Sequence, residues 1–167
     1  MSAPLDEPLD GHLFGPGQPC FGCSPDHPFG FRLTFAREGD EIVTRFTPGD
    51  RHQGPLGIMH GGLVSTLADE VAAWAIIGLL GKFGFTASFD AKLHAPVRIG
   101  VPLEGRARIV KDARRIVDVA VRITQPDPAG QTSAVFTGSF RFVILDQSGA
   151  ARMLGGPVPD AWKRFCR

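Results

Sequence analysis

Residues 54–62 read GPLGIMHGG and run straight into a long apolar segment. Gly61 and Gly62 leave the first N–H groups of a helix uncovered, and such groups have no partner inside the helix. With the helix dipole behind them, they can hydrogen-bond a carbonyl oxygen that is gaining negative charge. Glycines at a helix start also serve close packing alone, so a second group must decide between the two readings. Asp69 is that group. It follows Gly62 by about two helical turns and lies on the same face. A carboxylate in a mostly apolar helix is costly to bury without a task or a partner. It can activate water as a general base, or attack an acyl carbon as a nucleophile. Glu70 points roughly 100° away, so only one of the two acids shares the Gly62 face. Glu70 is expected to be a solvated or ion-paired helix residue.

Spacing adds a constraint. The helix rises roughly 10 Å between Gly62 and Asp69, too far for Asp69 to reach a carbonyl held at its own helix's start. If both features serve one reaction, the second helix comes from another copy of the chain. Central helices running antiparallel across a two-fold axis would supply it.

The surrounding elements must hold that helix. Phe31, Leu33 and Phe35 alternate with Arg32 and Thr34, which predicts a half-buried strand over 31–37. Gly39-Asp40 makes a turn into a second strand over 41–47, and the Pro- and Gly-rich stretch 48–57 is a loop. From Gly61 to about Gly81 the chain is rich in Ala and Leu and apolar on nearly every side in its second half, a buried helix. Strands follow over 86–93, 103–111, 116–124 and 132–145. The order β-β-α-β-β-β-β, without internal repeats, predicts an α+β fold. A curved antiparallel sheet of about six strands would wrap around one long central helix. Residues 1–19 are expected as a flexible, loosely draped arm, 20–146 as the domain and 147–167 as a tail.

Totals bound the function. The chain of 167 residues suffices for one domain with a real core. Eighteen basic against seventeen acidic residues give a net charge of +1, so nothing draws the chain to nucleic acid or anionic membrane. The N-terminus lacks the pattern of a secretory signal, and the apolar run Val71 to Leu80 is short of the about 20 residues a bilayer needs. A cytoplasmic protein with no membrane partner is expected. Cys20 and Cys23 form a CxxC, but no strand–helix setting suggests redox chemistry. A zinc site would need further ligands, and His12, His27 and Cys166 are not at recognised spacing. These thiols are expected to be buried or incidental, with no metal and no cofactor.

GIMHGGLVSTLADEVAAWA (57–75) and TASFDAKLHAPVRIG (86–100) resemble the hotdog thioesterase superfamily, in its PaaI-like, phenylacetate-degradation-type branch. The element order fits it over roughly residues 20–146. The resemblance implies an acyl-CoA thioesterase, active as a homodimer or a dimer of dimers. It assigns the oxyanion donor to Gly61, positioning of loop and carbonyl to His60, and the catalytic carboxylate to Asp69, with Gly62 beside the substrate. CFGCSPDHPFGFRLTF (20–35) looks like a lead-in of one subgroup, with Ser24 where Gly is usual and His27 where Asn is usual. Many relatives carry Asn or Gln six residues before the His. Gly54 stands there, leaving Gln53 or His52 to substitute. Thr86 matches a Ser or Thr that some relatives use, and Ser88 is the next inward candidate. The phosphates of coenzyme A call for a basic rim, for which Lys111, Arg114 and Arg115 in one turn and Arg98 are candidates. His94 is a candidate for the substrate mouth and Phe83 and Phe85 for an acyl pocket, while Trp74 is expected in the core. Two other functions stay open: an enoyl-CoA hydratase or dehydratase, and a non-catalytic acyl-CoA sensor, which the missing amide at position 54 keeps in play.

Overall fold

In the computed structural model, the structure describes residues 8–166. The alternating segments pair as expected. β2 (Thr34–Glu38) and β3 (Glu41–Phe46) form a hairpin around Gly39, whose φ of 66° is the left-handed value glycine adopts without strain. Phe31 and Leu33 are buried as the alternation predicts, but the strand begins only after Arg32, which has a φ of 54°. The central helix follows as α1 (Gly61–Ala75), continued by a wider π-helical turn, Ile76–Leu80, and capped by Gly81 in the left-handed region. β4 (Gly84–Leu93), β5 (Leu103–Ala113), β6 (Ile116–Pro126) and β7 (Thr132–Ile144) complete the set.

All pairings are antiparallel, in the order β1-β2-β3-β5-β6-β7-β4, with β1 the short strand Leu9–Asp10. The strand leaving the helix therefore lies at the far edge from the strands that precede it, and α1 crosses the concave face between them. Leu67, Ala68, Val71 and Ala72 on α1 are fully buried against the inward residues Val117, Val119 and Ile123 of β6 and Phe136 and Phe140 of β7. Burying each large side chain contributes about 1.5–3 kcal/mol. Gly105 on β5 lets the sheet approach closely, since a Cβ there would lie 3.2 Å from Val71. The helical run Gly61–Leu80 is long and apolar enough to cross a bilayer, but the sheet wraps it instead.

A seventh strand and both chain ends go beyond the sequence reading. Residues 8–19, expected as a loosely draped arm, form β1 (Leu9–Asp10) and a 3-10 turn, and they bury Leu9, Leu13 and Phe14. Residues 1–7 of that arm lie outside the described residues. The expected tail carries α2 (Gln147–Leu154) and α3 (Asp160–Lys163) and buries Phe165 and Cys166. The Phe14 ring packs edge-on against Trp74 and Trp162, at 5.7 and 5.3 Å between centroids. These segments hold few apolar residues without period, so pattern alone gives no sign of their burial.

β4 is an edge of different character. The register shifts between Thr86 and Ser88, a bulge that turns the strand. Phe85, Phe89 and Leu93 are each more than half exposed along it.

Candidate active site

The loop before α1 is built to present the helix start. Met59 N–H donates to the Val97 carbonyl at 2.8 Å, and His60 N–H donates to the His52 carbonyl at 2.8 Å. His60 is the N-cap, with φ −60° and ψ 129°, and its Nδ1 accepts from Gly62 N–H at 3.0 Å. One free donor is thereby used up, and its neighbour is left available. The Gly61 N–H has no hydrogen-bond partner among the described residues. It opens on a groove of about 380 Å³ lined by Ile58, Leu93, His94 and Val97. The structure brings His60, Gly61 and Gly62 together as one donor site, with His94 at the groove rim, where its ring bonds Thr137 at 2.7 Å.

Asp69 lies on the side of α1 that the sheet leaves partly open. Thr86 on β4 donates its hydroxyl to Asp69 Oδ1 at 2.8 Å, which brings these two candidate residues together. Burial pushes the Asp69 carboxyl above the usual carboxylate range; the Thr86 bond opposes this and the nearby Cys20 adds to it. Ser88 is exposed and pairs across from Arg141, because the bulge removes it from the Thr86 alternation.

Other candidates have structural occupations. Gln53 Oε1 accepts from Gly57 N–H at 2.7 Å and its Nε2 donates to the Asp50 carbonyl at 3.4 Å, which ties the loop to itself. A Cβ at Gly54 would lie 3.2 Å from the His60 backbone, so glycine there permits the close turn. The His52 ring packs against Phe31 and Phe46, and burial lowers its pKa. Arg98 donates to the Pro126 carbonyl. Arg114 and Arg115 form the β5–β6 turn beside Lys82 and Asp112, at the far end of α1 from Gly61; Arg115 faces Asp146 at 3.7 Å. A single chain thus does not bring the basic turn to the helix start. Trp74 is in the core, Phe83 is half-buried among the aromatics of the chain ends, and Phe85 is exposed.

Glu70 departs from expectation. Rather than being freely solvated, it is half-buried, and Cys20 Sγ lies 3.1 Å from its Oε1. Burial, with the Cys20 charge adding, pushes its carboxyl up to about 9. The hydrogen bond from Cys23 lowers the Cys20 thiol to about 5 against the opposing effect of burial, while that same bond and burial raise Cys23. Sequence spacing gives no hint of this contact, because a turn 50 residues upstream supplies it.

An unpartnered donor at a helix start and a partly buried carboxylate are the kinds of group that acyl transfer to water uses. Residues 56–136 match the model of the thioesterase superfamily. The chain is 24% identical over 86 residues to the mouse protein acyl-coenzyme A thioesterase 13, a match covering 51% of this chain and 61% of that protein. The chain thus spans less than two thirds of that relative's length. An acyl-CoA hydrolase from Staphylococcus aureus, solved with butyryl coenzyme A and coenzyme A, superimposes with a TM-score of 0.61 at 21% identity, over 66% of this chain and 68% of that one. Zebra fish thioesterase superfamily member 2 superimposes with a TM-score of 0.61 at 20% identity, over 72% of this chain and 89% of that one. The family match over residues 56–136 and the sheet-wrapped helix agree: this stretch is similar to the thioesterase superfamily, and the chain has the hotdog fold of those solved neighbours.

Proposed function

We propose that this protein hydrolyses an acyl-CoA thioester to a free acid and CoA, at sites shared between two copies of the chain. The observation that carries the reading is the unpartnered Gly61 N–H at the start of α1, together with the half-buried Asp69 held by Thr86 two turns on. In the reaction, the thioester oxygen lies against the Gly61 N–H. Asp69 takes a proton from water, whose oxygen adds to the carbonyl carbon, and the negative charge on the carbonyl oxygen rests on that N–H. Collapse re-forms the carbonyl, breaks the carbon–sulfur bond and returns the proton from Asp69 to the CoA sulfur. His60 positions the donor by holding the adjacent Gly62 N–H.

Because Gly61 and Asp69 are separated along one helix, the partner chain supplies the second half of each site. The exposed edge of β4 supports this reading. It offers a ten-residue row of backbone donors and acceptors beside Phe85, Phe89 and Leu93, a surface fitted to a second β4. The name of the mouse relative and the coenzyme A in the bacterial structure support the substrate class. The motif of residues 57–75 supports the PaaI-like branch.

A panel of short, long and aryl acyl-CoAs, followed by release of free thiol, tests the reading. Turnover on at least one substrate, abolished by Asp69→Ala, is expected. Tight acyl-CoA binding without thiol release would make the protein a sensor, and loss of an enoyl double bond would make it a hydratase.

A further inference from the structure

Glu70 has no part in the hydrolysis, yet its carboxyl is half-buried in an apolar setting that disfavours it. It lines a cavity of about 210 Å³ with Phe14, Ala73, Trp74 and Phe83. A buried carboxyl there needs a partner. The groups that reach it are two thiols: Cys20 Sγ is 3.1 Å from Glu70 Oε1, and both sulfurs and a carboxylate oxygen lie within 4.8 Å of one another.

The chain is shaped to make this meeting. Ser24 N–H donates to the Cys20 carbonyl at 3.1 Å, closing the CxxC turn, and Leu33 N–H donates to the Gly22 carbonyl at 2.9 Å, anchoring it. Gly22 lies directly on the acid, where any Cβ would be 2.1 Å from Glu70 Cγ and Cδ. Only glycine lets the turn descend far enough for the flanking sulfurs to reach the carboxyl. Gln18, itself buried, steadies both ends: its Oε1 accepts from Cys20 N–H at 3.0 Å and its Nε2 lies 4.0 Å from Cys23 Sγ.

We propose that Cys20, Cys23 and Glu70 bind one zinc ion, which clamps the N-terminal turn to α1. Zinc takes thiolate sulfur at about 2.3 Å and carboxylate oxygen at about 2.0–2.2 Å in a tetrahedron, so its ligands stand roughly 3.4–3.8 Å apart. The Cys20–Glu70 separation of 3.1 Å and the 4.8 Å within which all three ligand atoms lie put the cluster within reach of that range. Two thiolates select zinc over magnesium or calcium. The three protein ligands leave one coordination position, and all three line the same cavity. Glu70 and Asp69 thus divide the labour of adjacent acids, one fastening the helix and the other facing the substrate side.

Elemental analysis of the purified full chain, with cobalt(II) titration of metal-stripped protein, tests the site independently of any thioesterase assay. About one zinc per chain is expected, and cobalt should give thiolate-to-metal charge-transfer absorption with tetrahedral visible bands. Cys166→Ser, which alters the thiol outside the cluster, should bind like the wild type. Cys20→Ser and the near-isosteric Glu70→Gln should bind roughly 10–100-fold or more weakly. If Cys20→Ser fails to fold, Glu70→Gln decides. Wild-type protein that gives no charge-transfer band overturns the proposal, as does metal uptake undiminished in both variants. A Cys20–Cys23 disulfide in freshly purified protein, with no metal, would likewise replace it with a redox pair.

Discussion

Gly61→Pro is the most direct perturbation of the proposed site, because it deletes one N–H and little else. Gly61 is the first residue of α1, and its N–H makes no helical hydrogen bond, so proline breaks no rung of the ladder. His60 already has φ −60° and ψ 129°, the region a residue before proline requires. A Cβ at position 61 meets only Leu93 Cδ2, at 3.4 Å. The variant should therefore fold with an unchanged melting temperature. Losing an oxyanion donor should lower kcat about 10²–10³-fold, or about 2.7–4 kcal/mol of barrier. Asp69→Asn should remove a further general-base contribution of about 10²–10⁴-fold when made alone. Sharing between chains then gives a sharper test than either loss. Unfolding and refolding the two inactive variants together yields about half heterodimers, each with one intact site of two, so about a quarter of wild-type thiol release should return. A mixture that stays as inactive as its parents, despite measured subunit exchange, would falsify the shared site. A Gly61→Pro protein with full kcat would refute the donor itself.

Thr86→Val removes the hydroxyl that orients Asp69 while keeping the side-chain shape. Losing a hydrogen bond to a charged group, about 1.5–3 kcal/mol, should lower kcat roughly 10–100-fold with little change in melting temperature. Phe85→Glu places a charge on the exposed β4 edge. Light scattering should show dissociation to monomers, with turnover lost in parallel; a dimer that survives intact would move the interface elsewhere. Gly78→Val introduces a branched side chain where even a Cβ would lie 2.8 Å from Ile42 Cδ1. Denaturant unfolding should show a loss of about 1–3 kcal/mol from overpacking. Glu38 is held below the usual carboxylate range by its bonds to Arg45 and Arg106. Its stabilisation is complete above the ordinary glutamate value and disappears as pH falls through the depressed one. The melting temperatures of wild type and Glu38→Gln should therefore differ slightly near neutrality and converge in acid.

The two periodicities carried most of the fold into view. Alternation marks β5, β6 and β7 because one face of each strand packs on α1, and the all-round apolarity of Val71 to Leu80 marks a helix that must be wrapped. The chain ends were illegible for a physical reason. Leu9, Phe14 and Phe165 are isolated anchors in Pro- and Gly-rich stretches, and an isolated anchor has no period. At the site, local chemistry was readable and long-range contact was not. His60, Gly61 and Gly62 were legible as candidates because they are contiguous and form one helix start, and Thr86 because it stands near the beginning of a strand. Ser88 was misplaced because a bulge shifts the alternation by one residue. Glu70 was misjudged because its partners lie on a turn far upstream, and nothing in the helix sequence announces them.

The aromatic knot at the chain ends sets a timetable for synthesis. Trp162 Nε1 donates to the Phe14 carbonyl across 148 residues, and Phe83 N–H donates to the Phe165 carbonyl. Neither bond can form until residues 162–165 have left the ribosome. At about 5–20 residues per second, the stretch from Leu93 to the end of β7 at Ile144 takes roughly 3–10 s to make. Throughout that interval the nascent chain holds a finished β4 segment, with Phe85, Phe89 and Leu93 on it, and neither β7 nor a second copy to cover it. The most non-local contacts of the molecule therefore close last, and the aggregation hazard of this protein is concentrated in those seconds.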